Sequence, residues 1–167
     1  QGEVDGRTVT LMGDLRFGRT VHSLAKMLAR FDDITINFVS PKGLDMPEGL
    51  RDDLRTKGLS KQLATNVLSD VIGDTDVLYV TRTQSERFKE EDPELAESIE
   101  AAKPQFTVTP DTMTLAKPTM TLLHPLPRVG EIHPAVDNDP RARYFEQAEY
   151  GVEVREALLA LILGRAT

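Results

Sequence analysis

Short runs of β-branched and aromatic residues alternate along this chain with segments of helical period, on connections of only a few residues. That rhythm leaves few folds open. Parallel strands need a crossover between them, and the usual crossover is a helix packed back on the sheet. Thr8 to Met12, Ile34 to Val39, Leu59 to Ala64, Asp76 to Val80, Phe106 to Thr109 and Met120 to Leu123 read as strands. Between the first two, Val21, Leu24, Ala25, Leu28 and Phe31 recur at helical spacing, which predicts a helix from about Arg19 to Arg30. Pro47 opens a second helix as far as Lys57, with Gly58 as its C-terminal cap, and Asn66 to Ile72 reads as a short helix. Asp92-Pro93 pairs a capping side chain with proline at the first helical position and launches a helix to about Ala102. Asp139-Pro140 repeats the signal before a long C-terminal helical region. The expected fold is α/β, a Rossmann-like parallel sheet with helices on both faces, forming one domain over residues 1–167.

Composition closes off several functions. A net charge of −7 argues against a nucleic-acid binder, whose partner demands a basic face. The longest apolar stretch, Ala157 to Leu163, is seven residues, too short to span a bilayer, so no membrane partner is expected. There is no cysteine, which excludes disulfides and thiolate metal sites and fits a cytoplasmic protein. His22, His124 and His133 are far apart, so neither a zinc site nor any other metal or cofactor is expected. Gln1-Gly2-Glu3 has the look of a boundary cut from a longer polypeptide.

In parallel α/β sheets, ligands bind outside the carboxyl ends of the strands. Three predicted strands run directly into unusual polar segments: Gly13 to Thr20, Thr81 to Arg87, and His124 to Arg128. Their ends share one edge, so Arg19, Arg82, Arg87 and Arg128 can face one crevice. A guanidinium grips a carboxylate through two parallel hydrogen bonds, so the pattern suits a small dianion. Taken singly, each arginine reads equally as a solvated loop residue, and His124 as a hydrogen-bonded structural histidine. Pro125 and Pro127 make a rigid turn, and they also lack N–H groups, which leaves nearby carbonyls as acceptors.

Gly13-x-x-x-x-Gly18-Arg19-Thr20 matches the spacing of a nucleotide-binding P-loop, with arginine in place of lysine. Leu15, Arg16 and Phe17 are too bulky for a phosphate cradle, and no apolar strand ends in a magnesium-holding aspartate. A Gly-x-Gly-x-x-Gly fingerprint is absent as well.

Taken together, the segments Gly13 to Ser23, Leu78 to Arg87 and His124 to Arg128 resemble aspartate transcarbamoylase, with Asp139 to Ala148 and the Ala157 to Leu161 helix extending the likeness almost end to end. The resemblance implies that Arg19 and Arg82 hold the aspartate carboxylates with Gln84 assisting. It implies too that the backbone of Pro125, Leu126 and Pro127 meets carbamoyl phosphate and the incoming amine. None of these residues does covalent chemistry. Ornithine transcarbamoylase, the near relative, typically carries cysteine as the second residue of the His-x-Leu-Pro loop and lacks the Thr-Arg-x-Gln arrangement. Pro125 and Thr81 to Gln84 therefore favour aspartate. The details lie closest to the eukaryotic type found in multifunctional pyrimidine-pathway polypeptides. One departure is the long acidic stretch from Phe88 to Pro104.

The family's phosphate-binding Ser-Thr-x-Arg-Thr loop does not occur here, so the resemblance implies that an N-terminal carbamoyl phosphate domain is missing from the chain. The expected partners are accordingly L-aspartate, carbamoyl phosphate, that domain, and two further copies in a homotrimer. From Val152 to Leu163 the last helix is apolar nearly all round, which predicts one side packed on the sheet and another covered by a second domain or chain. A helix lying centrally in its own core is the alternative reading. A non-catalytic, transcarbamoylase-like assembly module also stays open.

Overall fold

The computed structural model describes residues 2–83 and 89–165. Five strands, β1 (Thr8–Met12), β2 (Thr35–Val39), β3 (Lys61–Thr65), β4 (Val77–Val80) and β5 (Thr121–Leu123), form one sheet in the order β3-β2-β1-β4-β5. Every pairing in it is parallel. The chain winds outward from β1 to β3, then crosses back and builds β4 and β5 on the other side. The direction therefore reverses between β1 and β4.

Strand periodicity sorts the core into two layers. On one face Val9, Leu11, Ile36, Phe38 and Tyr79 pack under helices α1 (Arg19–Leu28) and α2 (Glu48–Thr56), through Val21, Ala25, Leu28 and Leu54. On the other, Met12, Val39, Leu78, Val80 and Leu122 meet Ile72, Phe106, Val108, Met113 and Tyr144. Because alternate residues of the same strands go to opposite layers, both faces must be covered, as the near-continuous apolar strands foretold. Helix α3 (Pro93–Ala102) forms a third, smaller cluster in which Ala96 and Ile99 sit over Leu44 and Phe17. Asp92 caps α3 as expected, accepting the Leu95 N–H at 3.0 Å.

One polar chain crosses the interior. Asn37 donates to Thr10 at 3.2 Å, the Thr10 and Thr75 hydroxyls meet at 2.6 Å, and Thr75 donates to the Val71 carbonyl at 2.8 Å. It ties β2 and β1 to the turn before β4, and each hydroxyl in it both gives and receives a bond.

Three expectations need correction. Phe106 to Thr109 is not a strand: Val108 makes only an isolated bridge to Ile132, off the sheet. Pro110 follows immediately, and Thr109 is committed as the cap of α4 (Pro110–Thr114), in a capping box with Thr112. Asn66 to Ile72 forms two single 3₁₀ turns (Leu68–Asp70 and Ile72–Asp74) in place of an α-helix. Asp139-Pro140 does not start the last helix. Asp139 instead accepts the Arg141 N–H, and Ala142 makes an isolated parallel bridge to Leu122 of β5, with the Leu122 N–H bonded to the Arg141 carbonyl at 2.8 Å. Helix α5 (Tyr144–Ile162) begins only after that.

A carboxylate also closes the start of the sheet. Asp76 accepts the Thr8 N–H and the Lys117 ammonium, each at 2.9 Å. Burial pushes its carboxyl upward, but the Thr8 N–H and Lys117 outweigh that and hold it below the ordinary value of 3.8. Because the folded value is depressed, this contribution to stability is full above the unfolded value and fades as pH falls through the folded one. Asp76→Asn should therefore flatten the acid limb. Unfolding free energies of the wild type and the variant, from urea titrations between about pH 6 and about pH 2, should differ most at the neutral end and converge at the acid end. Parallel curves would contradict this role for Asp76.

Candidate functional site

The reversal of winding between β1 and β4 opens a crevice at the carboxyl edge of the sheet, where ligands of such folds bind. Its floor depends on close backbone approach. Gly13 follows β1 at φ +117°, and a Cβ placed there would lie 2.3 Å from the Thr81 carbonyl oxygen. The Thr81 N–H in turn donates to the Met12 carbonyl at 2.8 Å. Only glycine satisfies both the dihedral and the space.

Above that floor lies an open cleft of about 510 Å³, lined by Gly18, Arg19, Thr20, Thr81, Arg82, His124, Pro125, Leu126 and Pro127. Arg19 is the first residue of α1, after the N-cap Gly18, and it is exposed. The helix therefore turns its positive end to the cleft, with no acidic residue in its first turn. Arg82, half-buried, enters from the end of β4. Residues contributed by the ends of β1, β4 and β5 thus share one cavity. Gln84 and Arg87 lie outside the described residues.

Arg128 does not join them. Its guanidinium makes a two-pronged pair with Asp137, with Nη2 2.6 Å from Oδ2, and donates to the Tyr144 hydroxyl at 3.1 Å. It also stacks over the Tyr144 ring at 5.5 Å. Arg128 holds the Asp137 carboxyl below the usual range, while burial and Asp137 push the Tyr144 hydroxyl up to about 12. This arginine clamps the loop to the root of α5.

His124 is buried, with both ring nitrogens engaged. Nδ1 accepts the Leu126 N–H at 2.9 Å, so Nε2 carries the proton and donates to Glu131 Oε1 at 2.9 Å. The other oxygen of Glu131 accepts the Val129 N–H at 2.8 Å. Burial pushes the Glu131 carboxyl up, but His124 and the backbone donors pull it further down, so it stays ionised. The bond from Leu126 holds that residue at φ +50°, in the left-handed region. Its chemical consequence concerns donors. Pro125 and Pro127 have no N–H, and that of Leu126 is spent on His124, so the cleft wall from 125 to 127 has only carbonyl acceptors to offer.

Sequence reasoning missed Glu131 and Gln147. The Gln147 side chain accepts the His124 N–H at 3.0 Å. Burial pushes the Tyr79 hydroxyl up, against hydrogen bonds with Thr20 and Gln147. No spacing rule links positions so far apart. Gln147 shares the start of the last helix with Glu146 and Glu149, so nothing in the sequence sets it apart. Among the described residues, no three His, Cys, Asp or Glu side chains group as a metal site, and no helix is long and apolar enough to cross a membrane.

Fold and cleft together define an α/β ligand-binding domain with its site at the switch point of a parallel sheet, and comparison with known proteins gives its family. Residues 5–162 match the family model described as aspartate/ornithine carbamoyltransferase, Asp/Orn binding domain. The chain is 48% identical over 163 residues to the multifunctional protein pyr1-3 of Dictyostelium discoideum, covering 98% of itself and 7% of that protein. It is 47% identical to the aspartate carbamoyltransferase catalytic subunit of Alkaliphilus oremlandii, covering 48% of it. The crystal structure of Trypanosoma cruzi aspartate transcarbamoylase with carbamoyl phosphate and aspartate superposes with a TM-score of 0.84 at 42% identity, over 95% of this chain and 49% of that one. The chain belongs to the aspartate/ornithine carbamoyltransferase family, as its Asp/Orn-binding domain. It spans about half the length of the catalytic subunits it matches, and a much smaller share of the multifunctional proteins.

Removing the Glu131 carboxylate should strand the His124 Nε2–H and the Val129 N–H. Glu131→Ala is expected to lower the unfolding free energy by about 2 kcal/mol, measured by urea denaturation near neutral pH. A loss within about 0.5 kcal/mol, the range of an ordinary surface substitution, would show that the clip does not hold the loop.

Proposed function

We propose that this chain is the aspartate-binding half of an aspartate carbamoyltransferase. The complete enzyme transfers a carbamoyl group from carbamoyl phosphate to L-aspartate and releases N-carbamoyl-L-aspartate and phosphate, a step of pyrimidine synthesis. One observation carries the reading: two arginines and an acceptor-only loop line the same cleft at the switch point of the sheet. Arginines suit the two carboxylates of aspartate, whereas the cationic side chain of ornithine would be repelled. In this reading Arg19 and Arg82 grip aspartate, with Gln84 beside them. The carbonyls of Pro125, Leu126 and Pro127 accept from the carbamoyl amide and from the attacking amine. The amine nitrogen bonds to the carbamoyl carbon, the bond from that carbon to the phosphate oxygen breaks, and the proton lost by the amine leaves with phosphate. Protein groups supply orientation, which is a large share of the barrier in a two-substrate reaction.

The partner is a carbamoyl phosphate-binding domain, and α5 supports its existence. Only Tyr144 is buried along α5, and Val152, Leu158, Leu159, Leu161 and Ile162 are all more than half exposed. The expectation that one side of this helix packs on the sheet is therefore corrected: beyond its first turn it packs on neither layer, because it leaves the sheet edge at β5. A central place in its own core is likewise ruled out. So much apolar surface on one helix calls for a cover. We assign that cover to the carbamoyl phosphate domain and the complete enzyme to a cytoplasmic homotrimer, the assembly implied by the family resemblance.

Two outcomes are expected. The 167-residue chain alone should produce no carbamoylaspartate from the two substrates, and joining it to a carbamoyl phosphate domain should establish turnover with aspartate but not ornithine. In that complete enzyme, Arg82→Lys should raise the aspartate KM and lower kcat/KM by roughly 30- to 700-fold, the equivalent of about 2–4 kcal/mol. An unchanged KM would take Arg82 out of the site. Turnover by the fragment alone would refute the split cleft.

A further inference from the structure

His124 keeps the acceptor loop free of donors through a bond that reaches only two residues along the chain. Its Nδ1 accepts the Leu126 N–H at 2.9 Å, and Leu126 stands at φ +50°, where a residue with a Cβ is held at a cost. The same short-range bond recurs at exposed His133, whose Nδ1 accepts the Ala135 N–H at 3.1 Å. There water can serve the far ring nitrogen. His124 is buried, so its Nε2–H needs a protein acceptor, and Glu131 Oε1 supplies one at 2.9 Å. Glu131 is itself fixed by the Val129 N–H on its other oxygen, at 2.8 Å, and the His124 N–H is tied to Gln147 Oε1 at 3.0 Å. An acceptor at Nε2 and a donor at Nδ1 leave one tautomer, with the proton on Nε2. Pro125 and Pro127 carry no N–H, so the Leu126 N–H is the one donor that this stretch of backbone possesses, and that tautomer takes it up.

We propose that His124 is a specificity-determining residue, with Glu131 holding its tautomer. By taking up the Leu126 N–H it leaves the wall from Pro125 to Pro127 with acceptors alone, which selects a reacting group that donates hydrogen bonds, a carbamoyl amide, over one of the same shape that cannot, an acetyl methyl. A freed Leu126 N–H would set a donor among those carbonyls and release the loop from its left-handed turn, and the preference would go with it. A site built on hydrogen bonds to an N–H discriminates strongly against the analogue that lacks it, because its acceptors are then left unpaired. That the wall meets the carbamoyl group rests on the function proposed above; the bonds that fix the tautomer do not.

The tautomer is tested first in this chain without any substrate. Nitrogen NMR spectra of the His124 ring should show the proton on Nε2 and a bare Nδ1, with a coupling across the bond to the Leu126 nitrogen. A proton on Nδ1 would overturn the proposal whatever the protein's activity. Glu131→Gln keeps an acceptor for Nε2–H and should keep that tautomer. Glu131→Leu should accelerate amide exchange at Leu126 on the order of tenfold, the loss of about one hydrogen bond. Unaltered exchange there would refute the hold of Glu131 on the ring. The second test joins the chain to a carbamoyl phosphate domain and follows carbamoyl phosphate as substrate and acetyl phosphate as competitor. His124→Phe should raise the carbamoyl phosphate KM on the order of tenfold and shift the acetyl phosphate inhibition constant by less than about twofold. His124→Asn, whose side-chain oxygen can accept the N–H two residues on, should return both constants to within about threefold of the wild type. Equal shifts for the two phosphates in His124→Phe would reduce His124 to a structural role and defeat the idea. If that variant does not fold, His124→Asn decides alone: a retained preference supports the proposal and a lost one refutes it. Failure of the unaltered joined protein to transfer carbamoyl groups would count against the proposed function, while the ring spectra would still decide the tautomer.

Discussion

The contact on which the rest of the site depends is the approach of two backbones, Gly13 after β1 and Thr81 after β4. A parallel sheet that winds first one way and then the other must part its loops at the reversal, and the crevice so formed is only as deep as the strand ends allow. Here a missing Cβ lets the two chains close to hydrogen-bonding distance, Thr81 N–H to Met12 carbonyl at 2.8 Å. Arg19 and Arg82 therefore rise from a shared floor. Shifting either strand end by an ångström would separate the two guanidiniums without altering the sequence of either loop.

The other wall is built by removing donors. Two prolines and one satisfied N–H turn an ordinary loop into a row of carbonyls, and His124 is what makes that arrangement hold. Its ring, buried and anchored by Glu131, serves the backbone beside it. Arg128 and Tyr144 add a second anchor through Asp137. Polar groups that looked like ligand contacts in the sequence thus divide into two kinds. Arg19 and Arg82 face the cleft, while His124 and Arg128 are saturated by protein partners and hold its shape.

Helix α5 departs from the economy of a closed domain. Its first turn is tied into the cleft wall by Tyr144 and Gln147, and most of its remaining length presents apolar side chains to solvent. Hydrophobic burial depends on the area removed from water, so a helix in this state contributes little to the stability of its own domain. The same surface is what a covering domain would need.

Sequence alone determined the alternation of strands and helices, the layering of the sheet and the edge of the sheet from which the candidate arginines come. These follow from periodicity, from proline and glycine at helix ends, and from the rule that ligands meet the carboxyl edge, all of which act over a few residues. The short turns after β3, the bridge at Val108 and the late start of α5 were not legible, since each hangs on a contact distant in the chain, such as Leu122 with Arg141. Only tertiary structure decided which polar residues line the cleft and which hold its walls. An arginine in a loop looks the same in the sequence whether it faces a crevice or an aspartate. The three-dimensional neighbourhood alone puts Arg128 on Asp137 and Arg82 in the lining of the cleft, because a partly buried guanidinium pairs with whatever carboxylate the fold brings to it.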